Sequence, residues 1–309
     1  MVSSKRVALF LHDLQNDYQQ ILRTDCERAA QRNQMELVVR SADRDADVQL
    51  RQIRRVLAEP GGTRPHALVV SCVWELPLLN LAREAAALGI AWVFLTRWND
   101  AIHDLRRGNP KVPIFAVLGD QLEIGRIQGR QLRMLIEPQA EVVYLRGPSG
   151  TYSARCREQG FDQEIAGHCA NRRVNLNGDW SQSGGYSAAK RWLSTLPRRK
   201  LPDVVVVSQN DNMAAGVREA LVEWCGHDPE VDMLGCDGSP GLGQMLVRTG
   251  RLRGTVVVPS VSGRALDELA LAFRLGQMPP AEIKLPVRSY PDLYELRRSP
   301  RQNQPLASR

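Results

Sequence analysis

Four consecutive valines at residues 204–207 constrain the fold of this chain more than any other feature. A run of β-branched residues predicts a strand that is buried on both faces, as in a parallel sheet covered by helices. A polar stretch, 208–211, follows at once, and an alanine-rich helical pattern continues through Leu221. We therefore predict a strand whose carboxyl end turns directly into a helix. Ligands collect at such ends, because the strand opens into a crevice and the first helical N–H groups are exposed there.

Asn210 and Asp211 can serve two purposes at this turn. An asparagine side chain donates and accepts hydrogen bonds and an aspartate accepts them, so the pair could bind the hydroxyls of a ligand. The same residue types dominate helix N-caps, which makes capping the commoner role for such a pair. The residues alone leave both roles open.

The alternation of strand and helix extends along the chain. Apolar strands are predicted at 6–11, 35–40, 67–72, 90–96, 112–118, 141–146, 174–176, 203–208, 231–236, 254–258 and 285–288, with helical patterns in most of the intervals. Strands that are apolar throughout and separated by helices imply right-handed βαβ units. The fold class is therefore α/β, with parallel sheets covered by helices on both faces.

We predict two lobes from the number and order of these elements. The 309 residues suggest about two domains, at roughly 100–200 residues each. A second sheet begins after residue 118, and the last strand-helix-strand series is too short to form a domain, so we expect it to return to the first lobe. The first lobe then comprises 1–118 plus 259–288, and the second comprises 119–258 plus 289–309. Such a chain is expected to place its ligand crevice between the lobes.

Charge and cysteine usage argue against several classes of protein. The net charge is +7, but the basic residues are spread along the chain, which argues against nucleic-acid binding. The six cysteines have neither CxxC spacing nor the Cys/His spacing of a zinc site, so no metal is expected. No window is long and apolar enough for membrane insertion. The apolar run 7–11 is too short for a signal peptide, so with Met1 as the native start the chain would be cytoplasmic.

The sequence lacks the motifs of common nucleotide-dependent and hydrolytic enzymes. No predicted strand leads into G-x-G-x-x-G, and neither G-x-x-x-x-G-K-[ST] nor G-x-S-x-G occurs. The loop 147–150 could cradle a phosphate, but it has no lysine of the kind that a P-loop needs. We therefore expect no enzyme activity, no catalytic residues and no cofactor.

Polar residues follow several predicted strands and would line a shared crevice. These ends carry His12-Asp13 with Asn16, Thr96-Arg97-Trp98, Arg146 with the loop 147–150, Gly178-Asp179-Trp180, Asn210-Asp211 and Cys236-Asp237-Gly238. Sugar rings stack their apolar C–H faces on aromatic side chains, while their hydroxyls bind Asp, Asn and Arg. The combination favours a sugar-like ligand, although Trp180 alone could equally be a core residue and Arg97 alone could pair with an acid.

Residues 5–290 resemble the type I periplasmic binding proteins for sugars, of the ribose-binding kind, and the related effector domains of LacI-type repressors. The resemblance is carried, in order, by Leu145-Arg146-Gly147-Pro148-Ser149-Gly150, Ala154-Arg155-Cys156-Arg157, Gly160-Phe161, Asp179-Trp180, the segment 209–216 and Leu234-Gly235-Cys236-Asp237-Gly238. It implies a two-lobed fold in which each lobe is a parallel sheet flanked by helices, with the ligand cleft between the lobes. No DNA-reading helix-turn-helix precedes residue 6.

The resemblance also implies which residues bind the ligand. The family's sugar ligands correspond to Asn16, Arg97, Arg157, Asn210 and Asp237, and its aromatic residues to Tyr18 and Trp180. Three positions depart from the family pattern: Thr96 replaces an Asp, Gln19 a second aromatic and Val258 a Gln. A monosaccharide or related polyol is therefore implied without being identified.

Two functions follow from this resemblance. The first is a substrate-binding protein that closes its lobes on a sugar and delivers it to an ABC transporter permease or reports it to a membrane sensor. Such a protein would reside in the periplasm or cell envelope, if a leader is missing from this chain. The alternative is a cytoplasmic ligand sensor, related to repressor effector domains but without a DNA-binding domain, that acts through a protein partner.

Overall fold

The computed structural model describes residues 4–74, 76–136, 140–167, 173–197 and 201–298. Strands and helices alternate along them and form parallel sheets flanked by helices, which confirms the predicted α/β class. The strands are β1 (Arg6–Leu11), β2 (Glu36–Ser41), β3 (Ala67–Val70), β4 (Ala91–Leu95), β5 (Ile114–Gly119), β6 (Glu141–Arg146), β7 (Arg173–Asn177), β8 (Val204–Ser208), β9 (Asp232–Leu234), β10 (Thr255–Val257), β11 (Glu282–Leu285) and β12 (Arg288–Tyr290). The helices are α1 (Asp17–Arg32), α2 (Ala46–Leu57), α3 (Leu76–Ala87), α4 (Ala101–Gly108), α5 (Gln121–Leu135), α6 (Tyr152–Ile165), α7 (Gln182–Leu193), α8 (Asp211–Cys225), α9 (Gly243–Arg248), α10 (Ser262–Leu275) and α11 (Leu293–Arg298).

The first compact unit comprises Met1–Gly119 and Ser260–Leu285. Its sheet has the parallel strand order β11-β5-β4-β3-β1-β2. Every residue of β3, β4 and β5 is buried. In the edge strand β2, Glu36 and Val38 are exposed. Helices therefore cover both faces at the centre of this sheet, as continuous apolar strands require.

The second compact unit comprises Asp120–Pro259 and Pro286–Arg309. Its sheet has the parallel order β7-β6-β8-β9, and β10 and β12 form a separate antiparallel pair. The four valines of β8 lie at the centre. Val204 and Val206 pack into a cluster with residues of α7 and α8, while Val205 and Val207 pack into another with Tyr144 and Phe161. The strand is thus buried on both faces, as the valine run predicted.

The structure differs from the sequence expectations at two places. No helix was predicted in the interval 97–111, which contains the eight-residue helix α4. The single strand predicted at 285–288 is two strands, because Pro286 lies between β11 and β12. Proline has no N–H to donate to a sheet, so the ladder stops there and the chain changes partner from β5 to β10.

Helices α5 and α6 approach so closely that glycine is required at their contact. A Cβ at Gly125 of α5 would overlap the carbonyl oxygen of Arg157 on α6, and a Cβ at Gly160 would overlap the carbonyl oxygen of Leu122. The two helices therefore meet backbone to backbone. This contact sets the position of α6, and with it the position of the Arg157 Cα atom, against α5.

Neither a membrane span nor a metal cluster is found within the described ranges. No helix there is both long and apolar enough to cross a bilayer. The described His, Cys, Asp and Glu side chains do not gather in groups of three that could hold a metal ion.

The close contact of α5 and α6 predicts the effect of Gly125→Ala. Alanine favours a helix over glycine by roughly 0.5–1 kcal/mol, so an uncrowded site would be stabilised. At Gly125 the added methyl must displace α6, and we expect a net loss of about 1–3 kcal/mol in the free energy of unfolding. Urea unfolding measures this change.

Gly108→Ala is the matched control, since Gly108 ends α4 and no heavy atom lies within 4 Å of its Cβ position. This variant should be as stable as the parent or slightly more so. Equal stability of Gly125→Ala and the parent would contradict the backbone-to-backbone contact.

Candidate functional site

The predicted site residues lie at the carboxyl ends of strands or on the helices that follow. In the first unit, Asn16 follows β1 and Arg97 follows β4, which is separated from β1 by β3. Tyr18 is in the first turn of α1 and is buried. In the second unit, the four residues are Arg157 on α6, Trp180 after β7, Asn210 after β8 and Asp237 after β9.

Asp13 stabilises the loop that contains Asn16. The Asp13 carboxylate accepts hydrogen bonds from the backbone N–H groups of Gln15 and Asn16, both at 2.7 Å. It also lies 3.0 Å from the Nδ1 atom of His12 and 3.8 Å from the Nε atom of Arg44. Burial alone would raise the pKa of this carboxyl, but the hydrogen bonds from His12 and the loop N–H groups outweigh burial and lower it.

Asn16 and Gln19 hold the start of α1. The side-chain oxygen of Asn16 accepts a hydrogen bond from the Gln19 N–H, which makes Asn16 the N-cap. The Gln19 side chain accepts a hydrogen bond from the His12 N–H at 3.1 Å and is buried. Gln19 therefore ties α1 back to the end of β1 at the position where the sequence resemblance expected a second aromatic residue.

Arg97 is a buried cation at the end of β4. It is 7% exposed, and its Nη2 atom donates a hydrogen bond to the Cys72 carbonyl at 3.1 Å. The preceding residue, Thr96, has a φ of 66°, which is a rare backbone conformation for a β-branched residue. The backbone immediately before Arg97 is thus held in a conformation that β-branched residues rarely adopt.

Arg157 lies at the centre of the predicted site residues of the second unit. Its Nε atom donates to the Gln121 side chain at 2.8 Å, and its Nη1 atom donates to the Gln209 carbonyl at 2.5 Å. Nη1 also lies 3.5 Å from the Asp237 carboxylate. The guanidinium carbon is 5.6 Å from the ring centroid of Trp180, within the range of a cation–π contact. Asp237 and Trp180, two other predicted site residues of this unit, therefore lie beside the Arg157 guanidinium.

Trp180 packs on Gly147, and Asn210 holds its backbone. A Cβ at Gly147 would overlap the indole ring, so only glycine leaves room for it there. Trp180 has a φ of 70°, and its carbonyl accepts a hydrogen bond from the Asn210 side-chain amide at 2.9 Å. The Asn210 oxygen meanwhile accepts from the Met213 N–H and caps α8. Asn210 is therefore a helix cap, and its amide group also fixes the carbonyl of a site residue.

Asp211 fixes the turn that presents Asp237. Asp211 is 1% exposed, and its carboxylate accepts hydrogen bonds from the Gly238 N–H at 2.7 Å and the Thr255 hydroxyl at 2.8 Å. Asp237 itself has a φ of 97°. Thr96, Trp180 and Asp237 thus share a positive φ without being glycine, and all three follow strands. Such strained residues cluster at functional sites, where the surrounding structure holds them in place.

Buried glutamines support the site residues of the second unit, and none of these glutamines was predicted as a site residue. Gln128 on α5 donates to the carbonyls of Ser208 and Gly235, at the ends of β8 and β9. Gln209 accepts from the Gly147 N–H and donates to the Tyr144 hydroxyl and the Ala154 carbonyl. The sequence does indicate three of these glutamines by their spacing. Gln121, Gln128 and Gln131 are seven and three residues apart, which places them on one face of α5, and all three are buried. Uncharged polar residues in that position are rarely buried without a partner.

A cavity of about 490 Å³ in the first unit lies away from all of these residues. Its lining includes Lys5, His66, Lys111 and Phe273. Lys5, His66 and Pro113 precede strands β1, β3 and β5, so the cavity is at the amino ends of the sheet. The predicted site residues of this unit follow the strands and belong to the opposite edge.

Comparison with known proteins gives one family. The family model described as periplasmic binding protein domain matches residues 7–267. The ribose import binding protein of Escherichia coli strain K12 is 28% identical over 218 residues, which are 68% of this chain and 71% of that protein.

Solved structures agree on the fold. A galactofuranose binding protein superposes with a TM-score of 0.79 at 18% identity, covering 95% of this chain and 97% of its own. The periplasmic binding protein component of the arabinose ABC transporter from Shewanella sp. ANA-3 gives 0.78 at 20% identity, covering 95% and 96%. At these identities the superpositions show that the chain has the same two-lobed fold class.

The lowered pKa of Asp13 predicts how stability depends on pH. Because the folded value lies below the unfolded value of about 3.9, the charged carboxylate stabilises the fold at higher pH, and this contribution is lost as the pH falls below about 4. Asp13→Asn keeps an oxygen acceptor but not the charge. We expect the variant to be less stable than the parent by about 1.5–3 kcal/mol at neutral pH, the range for hydrogen bonds to charged groups.

This difference should shrink as the pH is lowered through about 4 towards 3, and urea unfolding of both proteins across that interval measures it. A difference that stays constant, or grows, towards pH 3 would show that the Asp13 charge does not hold the loop.

Proposed function

The chain belongs to the family of periplasmic binding protein domains, and from that membership we propose that it binds a monosaccharide or related polyol without converting it. The matched relative from Escherichia coli is a ribose import binding protein, and the two superposed structures are sugar-binding proteins. The side chains of Arg157, Asp237 and Trp180 in the second unit support the proposal of a polyhydroxylated ligand.

The observation that carries the proposal is the arrangement of Arg157, Asp237 and Trp180. The Arg157 guanidinium is planar and can donate to two adjacent hydroxyls, while the Asp237 carboxylate accepts from others. Trp180 supplies an aromatic face for the C–H side of a sugar ring. The side chains of Arg157 and Asp237 are 7% and 11% exposed, so water competes weakly for their hydrogen bonds.

We propose Asn16, Tyr18 and Arg97 of the first unit, and Asn210 of the second, as further ligand-binding residues. Asn16 and Asn210 each use their side-chain oxygen as a helix cap. An amide nitrogen carries two hydrogens, and in Asn210 one of them is donated to the Trp180 carbonyl. The asparagines are therefore proposed as donors to ligand oxygens. Arg97 is proposed as a second forked donor, comparable to Arg157.

We further propose that the sugar is delivered to the permease of an ABC transporter and that the chain acts in the periplasm. The supporting facts are the import role in the relative's name and the transporter named for the Shewanella protein. A membrane sensor would use the same bound state. Fractionation of the native host cell tests the location, since finding the protein only in the cytoplasm would favour the partner-dependent sensor instead.

Thermal-shift measurements with D-ribose, D-allose, L-arabinose, D-galactose and myo-inositol test the proposal. A ligand at about a hundred times its Kd stabilises the folded protein by roughly 2.7 kcal/mol, which is readily measured as a rise in Tm. We expect a rise for at least one of these compounds. No shift across a wider panel of monosaccharides and polyols, each at millimolar concentration, would contradict the proposal.

Asp237→Ala should weaken sugar binding more than it weakens the fold. If the carboxylate accepts hydroxyl hydrogen bonds, the loss is about 1.5–3 kcal/mol of binding free energy, or roughly ten- to more than a hundredfold in Kd. Arg157→Ala should have an effect of similar size, and Asp237→Asn should lie between the parent and the alanine variant. Calorimetric titration measures affinity, and melting curves separate it from folding.

Asp232→Ala is the matched control for this experiment. Asp232 pairs with Arg253 at 3.4 Å with comparable burial, but it begins β9, whereas Asp237 follows the other end of that strand. The control should lose stability and keep its affinity for sugar. Unchanged sugar affinity in Asp237→Ala would show that Asp237 only shapes its turn.

A further inference from the structure

We infer that Gln121 is a positioning residue that holds the Arg157 guanidinium in its sugar-binding orientation. The inference rests on the proposed function, because it concerns how that site is organised. The sequence resemblance did not include Gln121 among the ligand-binding residues. It is 2% exposed and lies 36 residues from Arg157 along the chain, on a different helix.

The contact between the two side chains fixes the guanidinium plane. The Gln121 Oε1 atom accepts a hydrogen bond from the Arg157 Nε atom at 2.8 Å. On another edge of the same plane, Nη1 donates to the Gln209 carbonyl and lies near the Asp237 carboxylate. Acceptors on Nε and on Nη1 together define the orientation of the plane, whereas one acceptor alone would leave it free to rotate.

Helix α5 fixes both ends of the Arg157 side chain. At the backbone end, Gly125 of α5 lies directly against the Arg157 carbonyl. At the guanidinium end, Gln121 of the same helix accepts from Nε. Residues four apart lie on the same face of a helix, so Gln121 and Gly125 approach α6 together. The distance and direction from the Arg157 backbone to its head group are therefore set by one rigid element.

This arrangement reduces the conformational entropy that the Arg157 side chain loses when a ligand binds. An arginine side chain has several rotatable bonds, and ordering it when the ligand binds reduces affinity. A residue that orders it beforehand preserves that affinity, as supporting contacts do in preorganised sites. Because Nε is bound by Gln121, the ligand is contacted through the terminal Nη groups of the fork.

Gln121→Leu removes the acceptor while keeping a side chain of similar size, and Gln121→Glu restores an acceptor at the same reach. The control is Gln163→Leu. Gln163 on α6 accepts hydrogen bonds from Arg126 on α5, so it joins the same two helices by the same kind of contact, at an exposed position that does not touch Arg157. Each variant is titrated calorimetrically with D-ribose, D-allose, L-arabinose, D-galactose and myo-inositol.

For every probe that the parent binds, Gln121→Leu should raise Kd by about tenfold or more, the equivalent of one hydrogen bond to a charged group. Gln121→Glu should recover most of the affinity, and Gln163→Leu should leave it unchanged. In an Arg157→Ala background, Gln121→Leu should have no further effect, because a residue that acts through Arg157 has nothing left to position. Additive losses in the double variant, or parental affinity in Gln121→Leu, would overturn the inference.

A second readout is independent of any sugar. The Nε–H signal of Arg157 in the ligand-free protein can be identified by its loss in Arg157→Ala and followed by NMR. We expect it to be protected from exchange in the parent and in Gln163→Leu, and unprotected in Gln121→Leu. Unchanged protection in Gln121→Leu would overturn the positioning contact while the proposed function stands. If neither these probes nor the wider panel of monosaccharides and polyols binds the parent, the proposed function and the effect of Gln121 on affinity both fail, and the NMR result still decides whether Gln121 orients Arg157.

Discussion

Burial of β8 between two layers of side chains is the constraint on which the second unit depends. Alternate valines of this strand contribute to opposite clusters, and β6 and β9 pair with it on either side. A strand that is enclosed on both faces and both edges cannot shift its register without exposing valine to water, so its carboxyl end is fixed in space. Asn210 and Asp211 begin their turn from that fixed point. The positions of Trp180 and Asp237 then follow from the hydrogen bonds that these two residues make.

The polar atoms at these strand ends are organised by buried side chains that do not themselves resemble ligand-binding residues. Asp13 stabilises the loop before α1, and Asp211 stabilises the turn after β9. Gln128 of α5 donates hydrogen bonds to backbone carbonyls at the ends of β8 and β9. Buried polar groups are costly unless they are hydrogen-bonded, and a satisfied network specifies one geometry. In the second unit, the hydrogen bonds of Asn210 and Asp211 hold the backbone at Trp180 and the turn that follows Asp237. The conformation of the proposed binding residues is thus stabilised by buried polar neighbours.

Local pattern was sufficient to predict most of the fold. The valine run, the apolar strands and the intervening helices each follow from the nearest ten or so residues, and the α/β class follows from their order. Pro286 shows where this approach fails, because one strand was predicted across a residue that cannot continue a ladder. Contacts between distant segments were beyond reach. The Gln121–Arg157 hydrogen bond and the close approach of Gly125 to the Arg157 carbonyl depend on how two helices meet, which no local pattern records.

A crystal structure of the chain with the sugar that gives the largest thermal shift would show whether Arg157, Asp237 and Trp180 bind that sugar. We predict a sugar whose hydroxyls contact the Nη atoms of Arg157 and the carboxylate of Asp237, with its ring face on Trp180. A sugar found elsewhere, such as in the cavity lined by Lys5 and His66, would contradict it. So would a bound sugar that leaves Arg157 and Asp237 in contact only with each other and with the protein.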